Sequence, residues 1–326
     1  MFTGSKIKTL VTVAIPVYNG ARFLEHAVKS VINQDYPVSE VVIIDDNSTD
    51  NTYEAIKNLK KDLNNHNINY YKNIENIGYP KNWNRCFELC KTRFLVILHQ
   101  DDELKKYCIS KQIDFFNKYE TIALLGGLED GIDAAGTIIK RQKKREAKIF
   151  EKGQIFEFVT QTGSYIPCSS VMFDMEKIRK VGFFDEDVIA TDELYWPKVL
   201  AQYPIAILGE SLINRGAHPD QTEYSHFVKY EKNAVNIYKK FHRIAGYEKR
   251  PKLKKKILKY LKYKFSKGWI GIAAHVARRG YRIIAIKYIA RSIYINPLII
   301  FYFPKMWKTF AKLIIFFLGI KNEKNI

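Results

Sequence analysis

Carboxylates crowd two short stretches of the sequence. Asp45-Asp46-Asn47-Ser48-Thr49-Asp50 follows the apolar run Val41–Ile44, and His99-Gln100-Asp101-Asp102-Glu103 follows the apolar run Phe94–Leu98. Charge at the end of a buried segment is costly unless it is paired, hydrogen-bonded or bound to a cation. Helix capping explains one or two such acids, with Asp102 or Glu103 capping the helix that follows. It explains two separate Asp-Asp pairs less well. The chemistry that uses them together is the binding of a metal ion or a nucleotide, since carboxylate oxygens suit hard divalent cations. A third apolar run, Leu10–Val17, leads into the loop Pro16-Val17-Tyr18-Asn19.

The elements that must position these groups alternate. Leu10–Val17, Val41–Ile44, Ile68–Tyr71 and Phe94–Leu98 read as short buried strands. Ala21–Asn33, Thr52–Leu63 and Pro80–Cys90 have helical spacing, the second capped by Ser48 or Asp50. Strand-helix alternation with near-continuous apolar strands predicts a mostly parallel sheet with helices on both faces. Ligands of such sheets bind beyond the carboxyl ends of the strands, where the acids lie. Residues 120–225 change to strand-like pieces at Ile122–Leu125, Thr137–Ile139, Val171–Phe173 and Ile205–Leu208, completing the same domain.

Composition narrows the class. The chain has 326 residues, 47% hydrophobic, with 20 Phe and 21 Tyr, enough for a real core and too much for a disordered chain. Four cysteines exclude a disulfide scaffold. Cys86 and Cys90 read as packing residues, since no histidine or second cysteine pair accompanies them. Lys6 and Lys8 before an apolar run resemble a signal peptide, but Thr12, Pro16 and Asn19-Gly20 fit a strand entering a loop better. The net charge of +19 is uneven: residues 227–326 hold 25 Lys and Arg against 3 acids, and residues 1–226 hold 28 against 31. Two regions are therefore expected, a near-neutral body at 1–226 and a basic helical region at 227–326.

The order of these pieces resembles glycosyltransferase family 2, with its GT-A fold. TVAIPVYNGARFLEHAVKSVINQDYP followed by EVVIIDDNSTDNT looks like that family's nucleotide-binding half. NIGYPKNWNRCFELCKTRFLVILHQDDEL looks like the block that ends in its metal-binding aspartates. SSVMFDMEKIRKVGFFDEDVIATDELYWPKVL looks like its acceptor block. The likeness covers about residues 8–225. It implies that Pro16, Tyr18 and Asn19 flank the nucleotide. Asp46 would bind the base, with Asp45 beside it, and Gly78, Lys81 and Asn82 would belong to a segment closing over the nucleotide. Asp101 and Asp102 would contact the sugar-nucleotide and an Mn²⁺ or Mg²⁺ ion, Asp192 would be the catalytic base, and His218 would reach the metal or diphosphate. Two departures stand out. His99 replaces the first acid of the family's Asp-x-Asp-Asp motif, and the sequence leaves it as a packed residue or an outer neighbour of the metal. Thr191 replaces the Glu that often precedes the base. The Gln/Arg-x-x-Arg-Trp signature of processive synthases is absent.

The chemistry implied is glycosyl transfer with inversion from a nucleotide-sugar donor, UDP favoured, to a glycan or polyprenyl-linked acceptor in cell-surface polysaccharide assembly. A divalent cation offsets the charge of the leaving diphosphate. A carboxylate opposite it takes the acceptor proton. Asp192 could instead cap the helix running to Leu200, leaving Glu193, Asp185 or Asp187 as base. The basic region interleaves nine Lys or Arg at 249–264 with Leu and Ile, and 298–318 is rich in Phe, Ile and Leu. That pattern suits helices on an anionic membrane surface better than a solvated bundle or nucleic acid. The run 297–320, broken by Lys305, Lys308, Lys312 and Pro304, is not a spanning helix. A cytoplasmic protein, peripheral on the inner face of the cell membrane, is expected. The alternative is a catalytically degenerate binding module of the same fold tethered to membrane.

Overall fold

The structure, a computed structural model, describes residues 10–217 except 65, 134–135 and 189–190, and beyond them 240, 243, 255, 259, 262–263, 266, 269–270, 273 and 282–296. The chain divides into two compact units, Met1–Ala245 and Gly246–Ile326.

The first unit begins with β1 (Val11–Val17), α1 (Leu24–Ile32), β2 (Glu40–Asp45), α2 (Thr52–Asp62), β3 (Ile68–Lys72), α3 (Tyr79–Leu89) and β4 (Phe94–Ile97). All seven residues of β1 are buried, as expected of a strand covered on both faces. α1 presents Leu24, Ala27, Val28 and Val31 to the core, a helical stripe at positions i, i+3, i+4 and i+7. It starts three residues later than its apolar spacing suggests. The N–H groups of Gly20 and Ala21 are held instead by Thr52 Oγ1 at the start of α2 and by Asp50 Oδ2 of the loop before it, at 3.0 and 3.2 Å. Neither candidate cap occupies the N-cap position of α2, which is Asn51; Asp50, one residue before it, accepts from the Thr52 N–H at 3.0 Å, and Ser48 turns to Asp45.

The second half adds β5 (Asp102–Leu104), α4 (Cys108–Lys118), β6 (Leu124–Ile132), β7 (Ile138–Lys140), β8 (Lys148–Phe150), α5 (Ile155–Thr162), β9 (Met172–Asp174), α6 (Met175–Val181), α7 (Thr191–Leu200) and β10 (Ile205–Gly216). One sheet runs in the order β3-β2-β1-β4-β9-β6-β10-β5, with β7 on β6 and β8 on β10. The parallel run ends at β4. β9 pairs antiparallel with both β4 and β6, and β6 and β10 are again parallel. β10 extends well past the expected Leu208 because it serves β8 near its start and β5 near its end. Helix α4 starts at Cys108, so Asp102 and Glu103 do not cap it; Asp102 opens a strand. All four cysteines are buried and free.

In the second unit, α8 (Arg282–Ile295) is tied to Ser266 and Trp269. Ser266 Oγ donates to Ser292 O at 3.1 Å, and Ser292 Oγ donates to Ser266 O at 2.8 Å. Tyr288 stacks on Trp269 at 5.1 Å between ring centroids. Ile286 and Tyr294 of α8 are exposed. Among the described residues, no helix is long and apolar enough to cross a membrane. The run 297–320 lies outside the described residues.

Candidate active site

Parallel pairing of β1 with β2 sets Val17 opposite Asp45, so the loops after both strands open at one end of the sheet. Asp45 is fully buried. Its Oδ1 accepts from Ser48 N and Oγ at 2.8 and 2.6 Å, and its Oδ2 accepts from the Tyr70 hydroxyl at 2.9 Å. Burial first, and the Asp45 carboxylate second, push the Tyr70 phenol well above its usual range. Asp46 is as deeply committed. Oδ1 accepts from Asn73 Nδ2 at 2.8 Å and Ile77 N at 2.9 Å, and Oδ2 accepts from Gly78 N at 2.9 Å. Asn82 Nδ2 donates to Ile44 O at 3.1 Å, and Asn82 Oδ1 accepts from Asn73 at 3.0 Å. These two aspartates build the loop walls of the site. Gly78 has φ 82°, a conformation that an L side chain resists, and it turns this loop into α3.

The β1 loop is clasped to the metal-motif loop. Gln100 accepts from Tyr18 N through Oε1 at 2.9 Å and donates from Nε2 to Tyr18 O at 3.2 Å. Asn19 donates its N–H to Ser48 Oγ and accepts from Thr49 N, at 3.0 and 2.9 Å. Pro16 is buried in β1, while Tyr18 and Lys81 are exposed at the rim.

The acidic pair follows β4. Asp102 is only 5% exposed. Its Oδ2 accepts from Ser169 Oγ at 2.6 Å and its Oδ1 from Gly216 N at 3.2 Å. Burial, then the neighbouring charge of Asp101, push its carboxyl up to about 8, against the opposing effects of Ser169, Arg215 and Gly216. A buried carboxylate this poorly compensated is one that a cation would stabilise. One ligand atom each from His99, Asp101 and Asp102 lie within 4.8 Å of one another, the only such group among the described residues. The donor set therefore fits a divalent ion. Gly216 makes the packing close: a Cβ there would sit 2.3 Å from the Asp101 carbonyl oxygen. Beside it on β10, Arg215 reaches Glu129 Oε1 at 3.4 Å, and the Tyr165 hydroxyl donates to Glu129 Oε2 at 2.9 Å.

Asp192 lies half-buried in the first turn of α7. An aromatic cluster seats that helix. Tyr195 lies 4.6 Å from Phe184 and Trp196 lies 6.1 Å from Phe173, centroid to centroid. The Tyr195 hydroxyl donates to Gly182 O at 2.8 Å. Cys168 and Ser169 belong to one short turn, Cys168–Ser170. Ser169 holds Asp102, and the Cys168 thiol is pushed far up by burial first and then by the charges of Asp192, Cys86 and Asp102. Thr191 is buried, and its hydroxyl donates to Asp185 O at 2.8 Å. Asp185 itself is engaged by Lys240 Nζ, at 2.7 and 2.6 Å from its two oxygens. His218 lies outside the described residues.

Sequence reasoning missed four residues of this site: Asn73, Gln100, Ser169 and Trp83, whose indole stacks on the His99 ring at 4.7 Å between centroids. Gln100 stood inside the recognised motif, and Trp83 lay one position beyond Asn82. Asn73 and Ser169 carried no local signal.

The family model "Glycosyl transferase family 2" matches residues 12–182, just over half of the chain. TuaG of Bacillus subtilis (strain 168), designated a teichuronic acid biosynthesis glycosyltransferase, is 34% identical over 108 residues, 33% of this chain and 42% of TuaG. The GalNAc(5)-diNAcBac-PP-undecaprenol beta-1,3-glucosyltransferase of Campylobacter jejuni is 35% identical over 100 residues, 30% of this chain and 32% of that protein. In both cases the match spans less than half of the relative's own length. The crystal structure of S. aureus TarS 1-349 in complex with UDP-GlcNAc superposes with TM-score 0.59 at 18% identity, covering 71% of this chain and 66% of that one.

Proposed function

The chain belongs to glycosyl transferase family 2, and on that premise we propose that it moves a sugar from a nucleoside-diphosphate sugar to a hydroxyl of a glycan or polyprenyl-linked acceptor. UDP is the favoured nucleotide, the anomeric carbon inverts, and the product enters cell-surface polysaccharide. One observation carries the reading: Asp101 and Asp102, with His99, bring one possible metal-ligand atom each to within 4.8 Å of one another beyond β4, the arrangement that a diphosphate-binding divalent ion needs.

Asp192 takes the proton of the acceptor hydroxyl as that oxygen attacks the anomeric carbon. The bond from the anomeric carbon to the diphosphate oxygen breaks, and its electron pair leaves with the diphosphate. Attack from the face opposite the leaving group inverts the centre. Asp101 and Asp102 would hold Mn²⁺ or Mg²⁺, with His218 as a further candidate, and the bound ion supplies positive charge against the diphosphate. Asp45, Asp46, Gly78 and Asn82 shape the base-side wall, with Pro16, Tyr18, Asn19 and Lys81 along the nucleotide. Pre-binding the donor in this way supplies orientation.

The donor class is supported by TarS, whose structure holds UDP-GlcNAc, and the acceptor class by the Campylobacter enzyme, named for a diphospho-undecaprenol-linked glycan. The exposed Ile286 and Tyr294 on the cationic helix α8 support docking on an anionic membrane surface, at the inner face of the cell membrane. The test is a thermal-shift panel of UDP, GDP, dTDP and CMP, each with and without Mn²⁺. A ligand at about 100 times its Kd adds roughly 2.7 kcal/mol of apparent stability. The reading expects a metal-dependent shift with UDP that Asp102→Asn abolishes. No shift with any nucleotide would leave a binding module of degenerate site.

A further inference from the structure

We propose that His99 is a direct ligand of the divalent cation through Nδ1, and that it tilts the site toward Mn²⁺ and later first-row ions over Mg²⁺. The inference rests on the metal-dependent reading above and assigns the ion's selectivity to one residue of this chain. His99 stands where the family's motif usually carries a third acid, so the replacement changes the chemistry of the donor set and not only its charge.

The geometry that supports it is built from three directions. The imidazole lies against the Trp83 indole, with ring centroids 4.7 Å apart and planes 24° from parallel. Trp83 is itself wedged edge-on by Tyr79 and Phe184, at 5.2 and 5.6 Å. The ring plane of His99 is thereby set by packing. The backbone is set by Ser169, whose Oγ accepts the His99 N–H at 3.1 Å and donates to Asp102 Oδ2 at 2.6 Å. One hydroxyl thus fixes the distance between the histidine's main chain and the carboxylate. With both held, His99 Nδ1 stands 3.9 Å from Asp102 Oδ2, and one ligand atom each of His99, Asp101 and Asp102 lie within 4.8 Å of each other.

Bonds of about 2.0–2.2 Å from one ion to nitrogen or oxygen put two ligand atoms roughly 3 to 4.4 Å apart. The 3.9 Å between Nδ1 and Oδ2 falls inside that interval. Asp102 Oδ2 accepts one hydrogen bond, from Ser169, and keeps acceptor capacity for an ion. A neutral imidazole replacing a carboxylate removes one negative charge and offers a softer donor. Mg²⁺ prefers oxygen ligands and gives up water reluctantly, whereas a nitrogen ligand favours first-row transition ions, with affinity rising from Mn²⁺ to Fe²⁺ to Co²⁺.

The experiment uses the full chain with UDP and Mn²⁺, studied by pulsed electron paramagnetic resonance for nitrogen coupling to the ion. Mn²⁺ affinity and its competition by Mg²⁺ are titrated on the same samples. Wild type, His99→Asp, His99→Ala, His218→Ala and each His99 variant combined with His218→Ala are compared, each checked for folding by its melting curve. The proposal expects directly bound ¹⁴N in His218→Ala, and none when His99→Asp or His99→Ala is combined with it. It expects His99→Asp to bind both ions and to lose about tenfold or more of the Mn²⁺-over-Mg²⁺ preference, the scale on which partners of a metal site act. No nitrogen coupling in His218→Ala, coupling that persists when His99→Asp is added to His218→Ala, or an unchanged preference overturns the role of His99 and leaves the metal-dependent reading standing. Failure of the wild type to bind Mn²⁺ with UDP overturns both.

Discussion

Asp45 and Asp46 are adjacent, both buried, and each accepts three hydrogen bonds, yet their replacement by asparagine has very different consequences. Asp46 Oδ1 faces two donors, Asn73 Nδ2 and Ile77 N, while Oδ2 faces the Gly78 N–H at 2.9 Å. An asparagine amide must point its NH₂ at one of these positions. In the better orientation it keeps the two bonds at Oδ1 and sets a donor against the Gly78 N–H. One charge-assisted bond worth about 1.5–3 kcal/mol is lost, and a buried N–H is left unsatisfied at about 1–3 kcal/mol. These overlap, so Asp46→Asn should destabilise by roughly 3 kcal/mol. Asp45 differs because its Oδ2 partner is the Tyr70 hydroxyl, at 2.9 Å. A hydroxyl rotates and accepts as readily as it donates. Asp45→Asn therefore keeps all three contacts and should cost about 1 kcal/mol. Urea unfolding of both variants measures the difference, and for a unit of this size ~1 kcal/mol is also ~2–4 °C in Tm. UDP affinity should fall in Asp46→Asn, as the loop at 73–78 detaches, and stay near wild type in Asp45→Asn. Equal destabilisation of the two, or a greater loss at Asp45, would refute the assignment of Asp46 as the anchor of that loop.

Ser169→Ala removes the hydroxyl shared by the His99 N–H and Asp102, and Mn²⁺ affinity measured by calorimetry with UDP should fall about 10–100-fold. An unchanged affinity would show that the turn does not support the metal ligands. Asp102 binds its proton more tightly folded than unfolded, so its contribution to stability is full below about pH 4 and is lost as pH rises through about 8 in metal-free protein. Mn²⁺ takes the proton's place. The Mn²⁺-induced rise in Tm should therefore grow from about pH 6 to pH 8, and a rise independent of pH would contradict the assignment. Gly216→Ala would drive a Cβ to 2.3 Å from the Asp101 carbonyl oxygen, so metal-dependent UDP binding should be lost more than tenfold in a protein that still folds. Binding within a factor of about two of wild type would show that the approach of β10 to the acidic loop is slack.

Much of this architecture was legible because chemistry and pattern coincide. Acids at the ends of apolar runs marked the site before any geometry, since such placement is unstable without partners. The strands of the first half were equally plain, being short, apolar and bounded by polar loops. The structure gave Asp46 partners that no local pattern encodes: Asn73, Ile77 and Gly78 lie 27, 31 and 32 residues away. Ser169 is a serine in an unremarkable turn until folding brings it to Asp102, 67 residues distant. β5 was invisible because three residues inside an acidic stretch do not show a period, and its pairing with β10 is what makes it a strand. β10 itself reads as ending at Leu208, where Gly209 and polar residues suggest a turn. It continues because β6 and β5 offer hydrogen bonds on both sides. His99 is the clearest case of information held back by folding. Its type departs from the family's motif, and only its stacking on Trp83 and its distance to Asp102 give that departure a chemical meaning.

The central claim is that Asp192 acts as a base on the acceptor while Asp101 and Asp102 hold the donor side. The most direct measurement is UDP release from a UDP-sugar by wild type and Asp192→Asn, with UDP affinity in Mn²⁺ determined on the same preparations. Loss of a general base lowers turnover by about 10²–10⁴-fold. The account predicts a fall of that size in kcat for Asp192→Asn with UDP affinity within about twofold of wild type. Turnover that survives the substitution, or a loss of UDP affinity that parallels the loss of turnover, would contradict it.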